Sequence, residues 1–221
     1  MSITVQNVRG LNTKVKTFYL NALSSESDVI ILSETWLRED VASEEYFGHF
    51  YDVHRCNGGY RGRGVLIAVK STFTSRVLNL RSPVDCVDIV GVKLGCNNNF
   101  INVIAIYIPP AKSSDVYDAV FEYLEQRIDL SNRTVIAGDF NIPEYNRMLN
   151  ISSSQGSLNL LNTFMTFNAL IQINNIPNKN GRFLDLILCS KDTVFTVTRQ
   201  NFPLVEEDSH HPSILVDLYI A

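Results

Sequence analysis

Residues 134–140 read TVIAGDF, a short apolar run that ends on Gly138 and Asp139. Apolar residues in succession, rather than in alternation with polar ones, are typical of a strand that is covered on both faces. Residues 29–33, VIILS, have the same character, whereas other segments alternate as half-exposed strands do. This mixture predicts two sheets that pack face to face, with helices outside them.

The remaining elements follow from the same patterns. Nine segments are predicted as strands because they are short, rich in β-branched residues and bounded by Gly, Asn, Asp or Pro. They are residues 3–8, 28–34, 64–70, 87–94, 100–108, 134–140, 183–189, 194–199 and 213–220. Apolar residues at helical spacing predict helices at about 15–23, 116–127 and 157–168. The predicted fold class is α/β, a four-layer α/β sandwich of two packed mixed β-sheets flanked by helices, and residues 1–221 are predicted to be a single domain.

Composition narrows the possible partners. The 221 residues are 45% hydrophobic and carry a net charge of −4, so a nucleic-acid partner would be bound locally rather than by a strongly basic surface. No apolar run is long enough to span a membrane and no signal peptide opens the chain, so we expect an intracellular, soluble protein without membrane association. The four cysteines form no CxxC pair and are expected to be reduced thiols.

A basic stretch lies between residues 55 and 70. Arg61 and Arg63 alternate there with glycines and follow Tyr60. The stretch is either the solvated rim of a hairpin or a surface that contacts a nucleic acid.

Polar residues occur where the apolar strands end. They are Asn7, Glu34, Tyr107, Asp139, Asn141, Asp185 and His210. Each alone is compatible with a turn or a helix cap, but ligands and catalytic groups commonly gather at one edge of a sheet. Burying Glu34, Asp139, Asp185 and Asp208 near one another would be strongly unfavourable without a counter-charge. A divalent metal ion and an imidazolium would supply it.

Seven blocks of sequence resemble, in order, those of the endonuclease/exonuclease/phosphatase superfamily. They are QNVRGL at 6–11, SETWL at 33–37, RGRGVLIAV at 61–69, IYIPP at 106–110, AGDFN at 137–141, LDLIL at 184–188 and SHHPSI at 209–214. Within the superfamily the chain is most similar to the endonuclease domain of non-LTR retrotransposons. The resemblance extends from residue 5 to the C-terminus.

The resemblance implies a Mg²⁺-dependent DNA endonuclease, with Mn²⁺ as a substitute, that nicks double-stranded DNA and leaves a 3′-hydroxyl to prime reverse transcription. It also implies a reverse-transcriptase domain in the same polyprotein, with this domain at its N-terminus, and action in the nucleus after synthesis in the cytoplasm. An abasic-site repair endonuclease or 3′ exonuclease, and a catalytically silent nucleic-acid-binding domain, remain as alternatives.

The resemblance also implies a role for each site residue. Glu34 is expected to bind the metal with Asn7 beside it, and Asp139 to activate the attacking water. Tyr107 and Asn141 are expected to contact the phosphate.

His210, kept protonated by Asp185, is expected to donate to the developing oxyanion, whereas His211 is expected to be a spectator. His210 is preferred over His211 because of the family's His-x-Pro spacing.

Two positions depart from the family pattern. Ser209 occupies the place of the Asp that usually precedes the catalytic His, and Asp208 is expected to reach the metal instead if the loop bulges. Arg63 stands where relatives tend to have a third glycine. Its charge favours DNA contact by Tyr60, Arg61 and Arg63.

Overall fold

The computed structural model describes residues 1–59, 61–96, 99–130, 132–145 and 156–219. Tyr60, one of the three residues predicted to contact DNA, lies outside the described residues.

Two sheets and four helices make up the described chain. The strands are β1 (Ser2–Asn7), β2 (Val29–Ser33), β3 (Tyr51–Cys56), β4 (Val65–Lys70), β5 (Ser75–Leu78), β6 (Asp88–Cys96), β7 (Asn99–Tyr107), β8 (Arg133–Asp139), β9 (Leu170–Gln172), β10 (Asp185–Ser190), β11 (Val194–Arg199) and β12 (Ile214–Tyr219). The helices are α1 (Val15–Ser24), α2 (Glu44–Phe47), α3 (Ser114–Arg127) and α4 (Gly156–Phe167). The first sheet has the strand order β11-β12-β1-β2-β4-β3, and the second has β5-β6-β7-β8-β10-β9.

The predicted α/β sandwich is confirmed, because each sheet has six strands of mixed direction and helices flank the pair. All nine predicted strands are present. The three unpredicted strands, β3, β5 and β9, are edge strands of their sheets, and they are short or partly exposed. An edge strand can carry polar residues that a covered strand cannot, so its apolar pattern is weak.

Three layers of apolar packing hold the sandwich together. The largest lies between the sheets and contains side chains such as Ile31, Ile67 and Val103. A second core joins α3 and α4 to the outer face of the second sheet, and a third joins α1 and α2 to the outer face of the first. Among the residues that the structure describes, no helix combines the length and apolarity that a membrane span requires.

Two parallel strand pairs bring the site residues to one end of the sandwich. In the first sheet β1 and β2 are parallel, and Asn7 is paired with Ser33, so that Glu34 follows directly beside it. In the second sheet β7 and β8 are parallel, and Tyr107 is paired with Asp139. Parallel strands that run side by side end at the same edge, so each sheet presents polar residues at its own edge.

In the second sheet, the antiparallel strands β6 and β10 add two acidic residues to the same edge. Asp88 of β6 is paired with Tyr107, and Asp185 of β10 is paired with Asp139. Neighbouring residues across a sheet direct their side chains to the same face. The register therefore places four side chains in one row across the edge of the second sheet: Asp88, Tyr107, Asp139 and Asp185.

Gly138 allows this row to form. Its φ is +144°, and a Cβ atom there would lie 1.9 Å from the carbonyl oxygen of Ile106. Any side chain at this position would push β8 away from β7 next to Asp139.

We therefore expect Gly138→Ala to lower the free energy of unfolding by about 3 kcal/mol, because it adds both backbone strain and a clash. Gly181→Ala is a matched control, since Gly181 has a φ of +73° and nothing lies within 4 Å of the added Cβ. The control is expected to lose about 1 kcal/mol. Urea denaturation measures both, and equal losses would show that the contact with Ile106 is unimportant.

Candidate active site

The centre of the site is a pair of carboxylates, one from each sheet, joined by one amide. The Nδ2 atom of Asn7 donates to Oε1 of Glu34 at 3.0 Å and to Oδ2 of Asp139 at 3.0 Å. Asn7 and Asp139 are buried, whereas Glu34 is partly exposed. The amide thus holds two acidic groups next to each other at the opening between the sheets.

A backbone hydrogen bond fixes the orientation of the Asn7 side chain. Its Oδ1 accepts a hydrogen bond from the backbone N–H of Arg9 at 3.1 Å, so the NH₂ group is the part directed at the carboxylates. Asn7 therefore lies beside Glu34 as predicted, but it is placed to donate hydrogen bonds rather than to offer an oxygen to a metal ion.

Glu34 is held in an unusual backbone conformation. Its φ is +51°, and its carbonyl oxygen accepts a bond from the N–H of Gly10 at 2.7 Å. The indole Nε1 of Trp36 donates to Oε2 of Glu34 at 3.3 Å. Positive φ values at non-glycine residues are unfavourable and often occur at functional sites, where neighbouring contacts compensate for them.

Opposite the carboxylate pair lies an acid–imidazole pair. Nδ1 of His211 is 2.9 Å from Oδ2 of Asp185, and both side chains are buried. Nε2 of His211 is 3.9 Å from Oδ2 of Asp139. Asp185 thus orients the imidazole, and the other ring nitrogen faces the carboxylates.

Electrostatics keep this imidazole protonated. Burial by itself lowers the pKa of His211, but the negative charges of Asp185, Asp139 and Glu34 outweigh it and raise the pKa to about 9. Burial raises the pKa of Asp139 well above its ordinary value, and Asp185 adds to that shift while His211 opposes it. The site holds more negative than positive charge.

The prediction that His210 belongs to this cluster is wrong, and so is the prediction that His211 is a spectator. His210 is exposed, and its Nδ1 lies 3.1 Å from Oδ1 of Asp208. The same Asp208 oxygen accepts the backbone N–H of His210 at 2.8 Å, which makes a tight turn before β12. That turn directs His210 outward and the next residue, His211, inward. The only sequence signal for this turn is an Asp two residues before His210.

The prediction that Asp208 reaches the metal is also wrong. The described residues that form a potential metal-binding group are Glu34, Asp139 and His211, whose ligand atoms all lie within 4.8 Å of one another, and Asp208 is not among them. Its Oδ2 instead pairs with Nη1 of Arg9 at 2.7 Å. The loop does not bulge toward the site, because Asp208 holds the turn together.

Tyr107 and Asn141 complete the wall on the side of the second sheet. Tyr107 is buried, and burial together with the charges of Glu34 and Asp139 raises the pKa of its phenol, which therefore stays protonated. The backbone N–H of Asn141 donates to Oδ1 of Asp139 at 3.2 Å, and its side-chain Nδ2 donates to the carbonyl of Ile108 at 2.9 Å. Asn141 thus fixes Asp139 from the side opposite Asn7.

The two arginines of the basic stretch have different surroundings. Arg61 is exposed, and its guanidinium lies over the ring of Trp36 at 4.8 Å from the centroid. Arg63 is mostly buried and forms an ion pair with Asp88. The expectation that Arg63 adds an available positive charge for DNA is therefore wrong, because Asp88 neutralises it.

The residues present suit a divalent metal ion. Glu34 and Asp139 offer carboxylate oxygens, which are the ligands that Mg²⁺ and Mn²⁺ prefer. Asp185 has one buried oxygen, Oδ1, without a hydrogen-bond partner. A cation beside these acids would offset the repulsion that raises the pKa of Asp139. His211 is less suited to be a ligand, because Asp185 and its neighbours favour its protonated form.

Comparison with known proteins identifies the group to which this arrangement belongs. The model of the endonuclease/exonuclease/phosphatase family matches residues 5–211. The chain belongs to this family.

Solved structures of the endonuclease/exonuclease/phosphatase fold are similar over nearly the whole chain. An AP endonuclease from Archaeoglobus fulgidus has 15% identity and a TM-score of 0.72, with all of both chains covered. The endonuclease domain of TRAS1, a telomere-specific non-LTR retrotransposon, has 14% identity and a TM-score of 0.70, with 97% of this chain and 96% of that chain covered. The catalytic domain of human Nocturnin has 11% identity and a TM-score of 0.69, with coverage of 99% and 93%.

The TM-scores of these structures show that the chain shares their fold, whereas identities this low leave its substrate open. No curated protein gives a significant match. A mannosyl-6-phosphatase from Bacteroides thetaiotaomicron also shares the fold, with 12% identity, full coverage of both chains and a TM-score of 0.63. Structures that share this fold thus include endonucleases and a phosphatase, so the substrate must be argued from the residues themselves.

The contrast between the two histidines gives a stability test. His211→Gln removes the cation that lies between Asp139 and Asp185, so we expect the free energy of unfolding to fall by about 3 kcal/mol. His210→Gln breaks only an exposed pair with Asp208, and its expected loss is less than about 1 kcal/mol. Urea denaturation of the two variants at neutral pH compares them directly. A larger loss in His210→Gln would show that the wrong histidine has been placed in the site.

Proposed function

We propose that this chain is a Mg²⁺-dependent endonuclease that hydrolyses a phosphodiester bond of double-stranded DNA and leaves a 3′-hydroxyl. The observation that carries the proposal is the pairing of Glu34 with Asp139 through Asn7, opposite the His211–Asp185 pair. Phosphodiester hydrolysis needs an activated water, stabilisation of charge on the phosphate oxygens and a proton for the leaving group. The arrangement offers a group for each need.

The reaction adds water across the P–O3′ bond. The water oxygen bonds to phosphorus, O3′ leaves and takes up a proton, and the products are a 3′-hydroxyl and a 5′-phosphate. Asp139 accepts the proton of the attacking water, since Asn7 and Asn141 fix both of its oxygens. His211, oriented by Asp185, is the protonated donor, and its Nε2 proton passes to O3′ as negative charge develops on that leaving oxygen. The phenol of Tyr107 is a further donor at the same wall.

The proposed metal ion would be held by the Glu34 carboxylate, on the side that faces Asp139, which stays available as the base. A bound Mg²⁺ would polarise the phosphate and offset its negative charge, which lets an anionic substrate approach three acidic residues. Asn7 and Trp36 hold the Glu34 carboxylate in position for this binding.

DNA would reach this opening beside Arg61 and Trp36. The Arg61 guanidinium is exposed over the ring of Trp36, whose indole contacts Glu34, so it can pair with a backbone phosphate that neighbours the cleaved one. A protein with a net charge of −4 has little general affinity for DNA, so local contact through an exposed arginine is the expected mode of binding.

We further propose that the domain belongs to a non-LTR retrotransposon and nicks chromosomal DNA in the nucleus. Support comes from the SETWL block, whose Trp36 contacts Glu34, and from the RGRGVLIAV block at 61–69, which begins in the loop between β3 and β4 and continues into β4. The structural similarity to the TRAS1 endonuclease domain is compatible with this origin. A reverse transcriptase in the same polyprotein would then extend the 3′-hydroxyl.

A second candidate is an abasic-site endonuclease. It is favoured by the similarity to AP endonucleases from Archaeoglobus fulgidus and Leishmania major. A catalytically silent domain is less well supported, because the departure from the family pattern at Ser209 leaves the His211–Asp185 pair in place.

Plasmid nicking tests the proposed reaction. Purified protein is expected to convert supercoiled plasmid to the open circle with Mg²⁺, and chelation by EDTA is expected to abolish the conversion. His211→Gln should reduce the rate at least about a hundredfold, because the proton donor is lost, whereas His210→Gln should retain it. Nicking that persists in His211→Gln, or in EDTA, would contradict the proposal. DNA polymerase extension of the nick checks for the 3′-hydroxyl.

The two candidate substrates are separated by a matched pair of duplexes. A retrotransposon endonuclease is expected to cut an intact duplex and one with a single abasic site at rates within about a hundredfold of each other, since one mismatched position usually changes binding by about 1–3 kcal/mol. Cleavage confined to the abasic duplex would favour the repair enzyme. The comparison is made at one salt concentration, because affinity for DNA depends on ionic strength.

A further inference from the structure

An ion pair that takes no part in the reaction lies beside the site. Nε of Arg63 donates to Oδ2 of Asp88 at 3.1 Å, and Nη2 donates to Oδ1. The backbone N–H of Gly64 donates to Oδ2 at 2.8 Å. The side chains are 12% and 1% exposed, so the pair is largely removed from water. Such a two-point contact fixes orientation as well as neutralising charge.

This pair joins the two sheets. Arg63 directly precedes Gly64 and β4 of the first sheet, whereas Asp88 begins β6 of the second. A Cβ atom on Gly58 would lie 2.1 Å from Cβ of Arg63, so the glycine makes room for this residue. The hairpin thus has a built place for Arg63.

The backbone next to the ion pair leads to Glu34. The carbonyl of Arg63 accepts the N–H of Trp36 at 2.9 Å, and the carbonyl of Gly64 accepts the N–H of Thr35 at 3.1 Å. A Cβ atom on Gly64 would lie 2.5 Å from Oγ1 of Thr35, so the two segments are in close contact. Residues 35 and 36 directly follow Glu34, and Trp36 has a φ of +55°.

Asp88 is also the neighbour of Tyr107 in the register of the second sheet. It could act as a fourth site carboxylate, but Arg63 and Gly64 occupy its oxygens. The ion pair therefore keeps one acid of the row away from the metal and holds the segment that carries another.

We propose that Arg63 and Asp88 are positioning residues, whose ion pair anchors Thr35 and Trp36 to the second sheet and thereby fixes the Glu34 carboxylate for metal binding. The proposal rests on the proposed function for the role of Glu34 as a metal ligand.

Backbone amide exchange tests the anchoring without DNA or metal. In Arg63→Gln the amides of Thr35 and Trp36 are expected to exchange with solvent about tenfold faster, whereas amides of β11 and β12 at the far edge of the same sheet keep their rates. Arg61→Gln is the matched control, and its Thr35 amide, which donates to the carbonyl of Gly64, should exchange as in the parent protein. A uniform acceleration over the whole chain, or none at Thr35 and Trp36, would overturn the proposal.

Manganese binding and DNA binding give the second readout. Arg63→Gln is expected to bind Mn²⁺, followed by electron paramagnetic resonance, about ten- to hundredfold more weakly, as is usual when a residue that orients a metal ligand is lost. Its affinity for DNA should keep the parent's salt dependence, whereas Arg61→Gln should lose about one unit of the salt slope and bind Mn²⁺ normally. The reverse assignment would make Arg63 a phosphate contact and overturn the proposal.

The anchoring by Arg63 and the proposed endonuclease activity can fail independently of each other. If the parent protein does not nick DNA, the endonuclease proposal fails, and the exchange of the Thr35 and Trp36 amides still decides whether Arg63 anchors them. If Arg63→Gln does not fold, the double variant that also carries Asp88→Asn is used instead. It buries no unpaired charge and is measured in the same way. The same local acceleration is expected, and its absence would again overturn the proposal.

Discussion

The structure depends on a constraint between the two sheets: acidic side chains from both of them meet in a buried place, where each charge needs a partner. Asn7 meets part of this need by donating to Glu34 and Asp139 at once, and His211 meets another part beside Asp185 and Asp139. Carboxylates are rarely buried together unless a cation or hydrogen-bond donors hold them. The remaining negative charge is what makes the site suited to a metal ion and, through it, to a phosphate.

The fold explains why these groups meet. Two parallel strand pairs, one in each sheet, end at the same end of the sandwich, and the row through Tyr107 and Asp139 faces the end of β1. The contacts around Glu34 then come from both sides, since Gly10 holds its carbonyl and the Arg63–Gly64 segment holds the next two residues. The two sheets supply different parts of one site, so their packing determines the distance between the carboxylates.

Much of this could be predicted from the sequence because strand ends are visible in it. Asn7, Glu34, Asp139 and Asp185 follow or begin apolar runs, and a sheet edge brings such positions together whatever the details of the loops. The choice between His210 and His211 could not be made this way. It depends on a turn held by Asp208, which the His-x-Pro spacing does not reveal. The burial of Arg63 was equally hidden, because its partner Asp88 is distant in sequence and belongs to the other sheet.

The location of a bound metal ion tests the central claim most directly. Crystals soaked in Mn²⁺ and measured at the manganese absorption edge would show the ion by its anomalous scattering. The account predicts a peak bonded to the Glu34 carboxylate, on the side that faces Asp139 and His211, with Asp208 still paired to Arg9. A peak bonded to Asp208 or His210, or no peak near Glu34 at saturating Mn²⁺, would contradict it.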